Sequence, residues 1–174
     1  MTSDIHHYDN GRPLNRSESI KRQLERDAAK HFLRLYEQMH QTPMRNIWHN
    51  EPAKPDISCH LDGKPLDLEI AHLYANKNEA KELTNKEFIQ SLSDLEEMDS
   101  QESLSTALGR LLNSKAQKQY DSPRVWLLIR NASPRWRTDD FKRCIRHFKM
   151  PENPFEQIWL LPEFDGSQLP IQIT

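Results

Sequence analysis

Three carboxylates lie on two short runs of sequence that flank a turn. Asp56 begins the run DISCHL, and Asp67 and Glu69 lie in the run PLDLEIA, with Asp62-Gly63 between the runs. Asp-Gly between alternating apolar residues is a strong local signal for a two-residue β-hairpin. Carboxylate oxygens held close together are the ligands that hard divalent cations favour. The pattern therefore indicates a candidate site for Mg²⁺ or Mn²⁺ on two adjacent strands.

The turn also predicts the register of the two strands. Counting outward from it, Ser58 falls opposite Asp67, and Asp56 falls opposite Glu69. Because side chains alternate across a strand, all three carboxylates then share one face, and the other face is apolar. Like charges directly opposite each other are destabilising, which favours a cation between them. The alternative is an ordinary solvent-exposed hairpin, whose outer face commonly carries acidic residues.

Helices and strands are predicted on both sides of this hairpin. After a polar arm over residues 1–17, apolar residues recur at helical spacing from Glu18 to about His40, and Ser17 is the candidate N-cap. The other predicted elements are a strand at Met44–His49, helices over 76–120 with a break near 99–103, a strand at 125–129, a short helix capped by Thr138, and a strand at 158–161. This order predicts one α/β domain over residues 18–174, with a mixed β-sheet flanked by helices.

Composition predicts a soluble intracellular protein with a modest core. Of the 174 residues, 36% are hydrophobic and 29% are charged, and no run approaches the roughly 20 apolar residues that a membrane-spanning helix needs. The first residues contain no apolar segment typical of a secretory signal. Cys59 and Cys144 lack metal-site spacing, so we expect buried free thiols in a reducing compartment and a cytoplasmic location.

Positive charge is concentrated late in the chain. Residues 76–105 contain three Lys and eight Asp or Glu, whereas residues 110–149 contain eleven Lys or Arg and three Asp. This asymmetry indicates a face that attracts polyanions, although solvated helices give the same pattern. Arginine suits phosphate oxygens, and an exposed tryptophan can stack on an unpaired base. The candidate nucleic-acid-binding residues are therefore Arg130, Arg135, Trp136, Arg137, Lys142, Arg143 and Arg146.

Two lysines on the helix predicted before the strand at 125–129 could approach the carboxylates. Lys115 continues an apolar stripe that begins at Leu104, and Lys118 follows it by three residues. An inward-facing lysine could reach the carboxylates, or its alkyl chain could carry the charge out to solvent. The sequence leaves both alternatives open.

The segment Pro55-Asp56, followed by a turn and Asp67-Leu68-Glu69, resembles the PD…(D/E)xK signature of restriction-endonuclease-like nucleases. The predicted order of a leading helix, a three-strand meander, a helix and a strand is also similar to that fold, over roughly residues 18–130. The resemblance implies hydrolysis of phosphodiester bonds in DNA with bound Mg²⁺ or Mn²⁺. It assigns the metal to Asp56 and Asp67.

Glu69 stands where this family usually has lysine. Some members keep Glu there and remain active, and in others the lysine has moved to a neighbouring element, which makes Lys115 and Lys118 catalytic candidates. Because the leading helix of the family often contributes a glutamate, Glu25 is a further candidate metal ligand, and Glu18 is the weaker choice. Glu69 would complete the ligand set.

The resemblance leaves other functions open. A nuclease-like module that has lost activity would bind nucleic acid or protein, and a metal-dependent hydrolase of small molecules would need a closed pocket. We expect nucleic acid as the partner, with DNA favoured, and no membrane. A homodimer stays open.

Overall fold

The computed structural model describes residues 8–9, 12–13, 16–50, 54–75, 103–163, 165 and 167–174. Its elements in chain order are β1 (Tyr8–Asp9), β2 (Arg12–Pro13), α1 (Arg16–His40), β3 (Met44–His49), β4 (Ile57–Leu61), β5 (Lys64–Leu73), α2 (Leu104–Ala116), β6 (Val125–Asn131), α3 (Thr138–His147), β7 (Gln157–Leu161) and β8 (Ile171–Gln172). The helix predicted to begin at residue 76, and its break near 99–103, lie almost wholly outside the described residues.

Six strands form one mixed sheet in the order β3-β4-β5-β6-β7-β8. Strands β3, β4 and β5 are an antiparallel meander, β5, β6 and β7 run parallel, and β8 is antiparallel to β7. The prediction of an α/β domain with a mixed sheet between helices is therefore confirmed. Among the helices described, none is both long enough and apolar enough to cross a membrane.

An apolar layer covers each face of the sheet. On one face α1 packs Phe32 and Tyr36 against Trp126 and Trp159, with ring centroids 5.4–5.5 Å apart. On the other face α2 and α3 contribute Ala107, Leu108, Leu112 and Phe141. Strand β5 lies between both layers, so its alternate residues enter different environments: Leu66, Leu68 and Ile70 join the α1 layer, and Ala71 and Leu73 join the other.

Two predicted helix N-caps are wrong. Helix α1 begins at Arg16, so Ser17 lies within its first turn. The N-cap of α3 is Arg137, and Thr138 is the first helical residue. The carboxylate of Glu163 accepts bonds from the Thr138 backbone N–H and hydroxyl, at 2.9 and 2.6 Å. A carboxylate distant in sequence thus accepts from both donors of Thr138, while the N–H groups of Asp140 and Phe141 donate to the Arg137 carbonyl.

Other predictions need smaller corrections. The buried stripe of α1 runs through Ala29, Leu33 and Tyr36, so Met39, predicted to face inward, is 39% exposed. Strand β8 was not predicted, because its two residues are too few for a periodic signal. Cys59 and Cys144 are both free, but only Cys59 is fully buried. Within the predicted arm, β1 pairs with β2.

The predicted turn at Asp62-Gly63 is confirmed, and a substitution at Gly63 tests the hairpin. Asp62 and Gly63 both have left-handed backbone conformations, with φ of 49° and 75°. Alanine at Gly63 meets no atom within 4 Å, so any cost arises in the backbone alone. We expect Gly63→Ala to lower the free energy of unfolding by about 1 kcal/mol.

The matched control is Gly109→Ala inside α2, where the added Cβ makes ordinary contact with Phe148 at 3.8 Å. Alanine is the better helix former, so this variant should gain roughly 0.5–1 kcal/mol. Urea denaturation measures both. Effects of the same sign would contradict the turn conformation or the placement of Gly109 in the helix.

Candidate active site

The backbone of Ile70 is the point on which the site converges. The ladder between β4 and β5 runs from Leu61–Lys64 to Ile57–Leu68 and ends there. Five predicted pairs are thus confirmed, but the predicted pair of Asp56 with Glu69 is not formed, because the chain bends away at Asp56. Two side chains form hydrogen bonds with the backbone N–H and carbonyl of Ile70 instead. The Ile70 N–H donates to Asp56 Oδ2 at 2.9 Å, and Lys115 Nζ donates to the Ile70 carbonyl at 3.1 Å.

The pKa of the Asp56 carboxyl group is raised by its surroundings. Burial, followed by the negative charges of Glu69 and Glu25, raises its pKa to about 6. The hydrogen bond from the Ile70 N–H and the positive charge of Lys115 oppose this rise without cancelling it. Asp56 is therefore the carboxylate of this cluster that most needs a proton or a cation near neutral pH.

Glu69 is buried and paired with lysine. The residue is 4% exposed, and Lys115 Nζ lies 2.6 Å from its Oε1 atom. Lys118 approaches the same atom at 3.6 Å, but its side chain is 55% exposed, against 15% for Lys115. Of the two alternatives for Lys115, the structure therefore shows the inward one.

Asp67 is held by a chain of hydrogen bonds. The Ser58 hydroxyl donates to Asp67 Oδ1, and the Asn50 side-chain amide donates to Ser58 Oγ at 2.7 Å. The same amide nitrogen donates to the carbonyl of Pro55 at 2.8 Å, and the Asn50 N–H donates to the Asp56 carbonyl at 3.1 Å. Asn50 thus fixes the bend before β4 and, through Ser58, the orientation of the Asp67 carboxylate.

Tyr120 anchors the end of the helix that carries Lys115. Its hydroxyl donates to the Lys115 carbonyl at 3.0 Å, and its ring packs on Phe155 with centroids 5.4 Å apart. Burial, and then the negative charges of Glu69 and Asp56, raise the pKa of Tyr120. The phenol therefore lies within the field of the carboxylate cluster.

Glu25 lies on the α1 side and makes different contacts. It is 4% exposed, 3.5 Å from Lys21 and 3.7 Å from His49 Nε2. Burial works to raise its pKa, but His49, Lys21 and His72 together outweigh burial and lower it. His72 is itself kept neutral, since burial and then the charge of Arg130 lower its pKa to about 4. The structure thus brings Glu25 within electrostatic range of Asp56 but pairs it with His49.

The donor set is suited to a hard cation, but the side chains are not gathered around a single point. Within the described ranges, no three Asp, Glu, His or Cys side chains form a group that could hold a metal ion. Lys115 supplies positive charge at Glu69, while Ser58 and the Ile70 N–H engage Asp67 and Asp56. Binding of an ion by all three carboxylates would require these side chains to move.

The predicted nucleic-acid-binding residues lie at the end of β6 and in the segment that follows it. Ile70 is in register with Leu128 of β6, and Arg130 is two residues farther along that strand, or about 7 Å; Asp67, in register with Val125, is about 16 Å from Arg130 along the strand. Arg137 pairs with Glu163 at 3.0 Å, and Arg143 pairs with Asp140 at 2.5 Å. Arg135, Lys142 and Arg146 are exposed.

The Trp136 side chain is half-buried and is not fully exposed to solvent. It packs edge-on against Phe141 with ring centroids 6.4 Å apart, and it borders the apolar layer under α2 and α3. It also lines a surface groove of about 470 Å³ with Leu104, Arg143 and His147. Base stacking on Trp136 remains a prediction, and the packing of its ring does not favour it.

Comparisons with family models, curated proteins and solved structures give no match to this chain. The sequence could have indicated Ser58, because the register places it opposite Asp67, but Asn50 carries no comparable signal. Tyr120 is distant from Glu69 in sequence, and the fold brings the two side chains together.

The raised pKa of Asp56 predicts how stability depends on pH. The folded protein holds this proton up to about pH 6, whereas the unfolded chain releases it near 3.8. The contribution of Asp56 to stability should therefore fall as pH rises from about 4 to 6. Asp56→Asn, measured by thermal melting in a chelator, should match wild type near pH 4. Above pH 6 it should exceed wild type by up to about 3 kcal/mol.

Asp140→Asn is the control with the opposite sign. The Arg137 N–H lowers the pKa of Asp140 because it donates to the ionised carboxylate. Loss of that charge should destabilise the protein at neutral pH and matter less in acid. A neutral-pH loss of stability in Asp56→Asn as well would contradict the raised pKa of Asp56.

Proposed function

We propose that this protein is a metal-dependent nuclease that hydrolyses phosphodiester bonds of DNA, with a restriction-endonuclease-like fold. One observation carries the proposal: Asp56 and Lys115 both bond to the backbone of Ile70, Lys115 pairs with Glu69, and Asp67 lies two residues before Glu69 on the same face of β5. The order of helix, three-strand meander, helix and parallel strand agrees with that fold. A cytoplasmic location, consistent with the two free thiols, belongs to the same proposal.

In this proposal each side chain has a distinct task. Asp56 and Asp67 provide carboxylate oxygens to Mg²⁺ or Mn²⁺, and Glu69 orients the ammonium of Lys115. Bound there, the ion would supply positive charge to the phosphate and acidify an attacking water. Lys115 is placed to orient that water or to neutralise charge that develops on the phosphate. Lys118, more exposed, and Glu25, on the far side of the sheet, take supporting roles.

A second candidate is a nuclease-like module that binds nucleic acid or protein without cleaving it. The ion pair between Glu69 and Lys115 favours this alternative, because it already neutralises a carboxylate that a metal would otherwise use. The discriminating property is metal affinity. A binding module has no need to bind Mg²⁺ at Asp56 and Asp67.

Substitution of Asp67 tests the proposed chemistry. Asp67→Asn keeps an oxygen that can accept from Ser58 but removes the charge. Cleavage of plasmid and of single-stranded DNA in Mg²⁺ or Mn²⁺ should fall by more than about 100-fold, since even outer partners of metal ligands contribute about 10–100-fold. The exposed carboxylate Asp139 provides the control, and Asp139→Asn should cleave as wild type does.

Calorimetric titration with Mn²⁺ separates the possible outcomes. Metal binding with cleavage that disappears in Asp67→Asn supports the nuclease. Metal binding without cleavage of either DNA would move the proposal to another substrate. Wild-type protein that neither binds Mn²⁺ nor cleaves would overturn the nuclease and leave the binding module.

The two lysines near Glu69 form a matched pair. Lys115→Ala leaves a buried carboxylate without its partner, so we expect a loss of about 3 kcal/mol in stability and of about 100-fold or more in cleavage rate. Lys118→Ala should change stability by less than about 1 kcal/mol, because its side chain is 55% exposed. Rates are compared well below the melting temperature of each variant. Equal effects of the two substitutions would contradict the role given to Lys115.

A further inference from the structure

A β-bulge in β3 decides which way Trp48 points. Arg45 pairs with His60 and Trp48 pairs with Ser58, so β3 has one residue more than β4 between these pairs. Asn46, within the bulge, has a left-handed backbone with φ of 59°. In an unbroken register, Trp48 would lie opposite Ile57, whose side chain is in the α1 layer. The bulge therefore turns Trp48 onto the face that carries the carboxylates.

This register places Trp48 in one row with the candidate site. Trp48 is opposite Ser58, Ser58 is opposite Asp67, and the Ser58 hydroxyl donates to the Asp67 carboxylate. Neighbouring strands are about 4.8 Å apart, so Trp48 is about 10 Å from Asp67 across the sheet. The exposed tryptophan and the carboxylates thus belong to one continuous surface.

The ring of Trp48 is presented to solvent and held in place. The residue is 46% exposed, although burial of a large apolar side chain would stabilise the fold by roughly 1.5–3 kcal/mol. Its ring lies against His60 with centroids 5.6 Å apart, and the Asn46 amide nitrogen is 3.3 Å from His60 Nδ1. In the part of the chain that the structure describes, the apolar layer under α2 and α3 includes no residue of β4.

We propose that Trp48, supported by His60, is a stacking platform for an unpaired base of single-stranded DNA whose backbone continues to the carboxylates. This inference rests on the proposed nuclease function and gives it a substrate-binding surface. An aromatic face that is open to solvent suits an unpaired base, because every base has a π-face. The exposed Lys54, three residues before β4, supplies positive charge for the backbone.

Tryptophan fluorescence tests the platform without cleavage. Of the four tryptophans, Trp126 and Trp159 are buried and Trp136 is half-buried, so Trp48 is the one most open to an added base. A short labelled single-stranded DNA of mixed sequence is titrated in EDTA, and both its anisotropy and the protein emission are followed. Binding should quench the emission of wild-type protein. Trp48→Ala should weaken binding by roughly 5- to 100-fold, and Trp48→Phe should weaken it less.

Leu169→Ala, at an apolar side chain that is 56% exposed and lies outside the candidate site, is the matched control and should keep both wild-type affinity and quenching. Unchanged affinity in Trp48→Ala, or quenching that persists in Trp48→Phe, would overturn the platform while metal-dependent cleavage sensitive to Asp67→Asn still supported the nuclease. Wild-type binding to the duplex but not to the single strand would also overturn it. So would a change in sedimentation, without a change in DNA affinity, for Trp48→Ala, since the face would then be a contact between two copies of the chain.

Discussion

The backbone N–H and carbonyl of Ile70 lie beyond Leu68, the last residue of β5 that pairs with β4. Strand β5 is covered by an apolar layer on both faces. Buried backbone N–H and C=O groups need partners, and a strand that has ended cannot supply them. Asp56 accepts from the N–H and Lys115 donates to the carbonyl, so one carboxylate and one ammonium are drawn to the same point. Glu69, the residue before Ile70, then lies within reach of the same ammonium. The end of a strand thereby gathers charged groups from three parts of the chain.

The ion pair between Glu69 and Lys115 is hard to explain by stability alone. The transfer of two charges out of water costs several kcal/mol for each ion, and well-packed apolar residues of similar size are often as stable or more so. The surrounding positions show that such packing is available, since Ala71 and Leu73 follow on the same face of β5. A buried pair beside Asp56 and Asp67 is consistent with a functional site, because perturbed ionisable groups cluster at such sites, and both the proposed nuclease and the binding module would account for it.

The turn sequence alone predicted the hairpin, whereas the end of β4, the rotation of α1 and the cap of α3 depend on contacts between distant parts of the chain. Asp62-Gly63 sets five cross-strand pairs because a two-residue turn leaves no freedom in register. The end of β4 depends on Asn50, which bonds to Pro55 and Ser58 from outside the hairpin, and no pattern in the two strands reveals it. The rotation of α1 that buries Glu25 depends on packing against Trp126 and Trp159. The cap of α3 depends on Glu163, 25 residues away from Thr138.

The positions of the neighbouring charges explain why the pKa of Asp56 is raised. It feels Glu69 on one side of the sheet and Glu25 on the other, and both raise its pKa. His72 brings no compensating charge at neutral pH, because its own pKa is lowered to about 4. Lys115 is shared between Glu69 and the Ile70 carbonyl, so Asp56, Asp67 and Glu69 together keep a negative excess even with this lysine in place. Below about pH 6 a proton on Asp56 relieves that excess. If the proposed metal site is correct, a divalent cation would take the place of that proton above about pH 6, and protons and metal ions would compete for the same carboxylate.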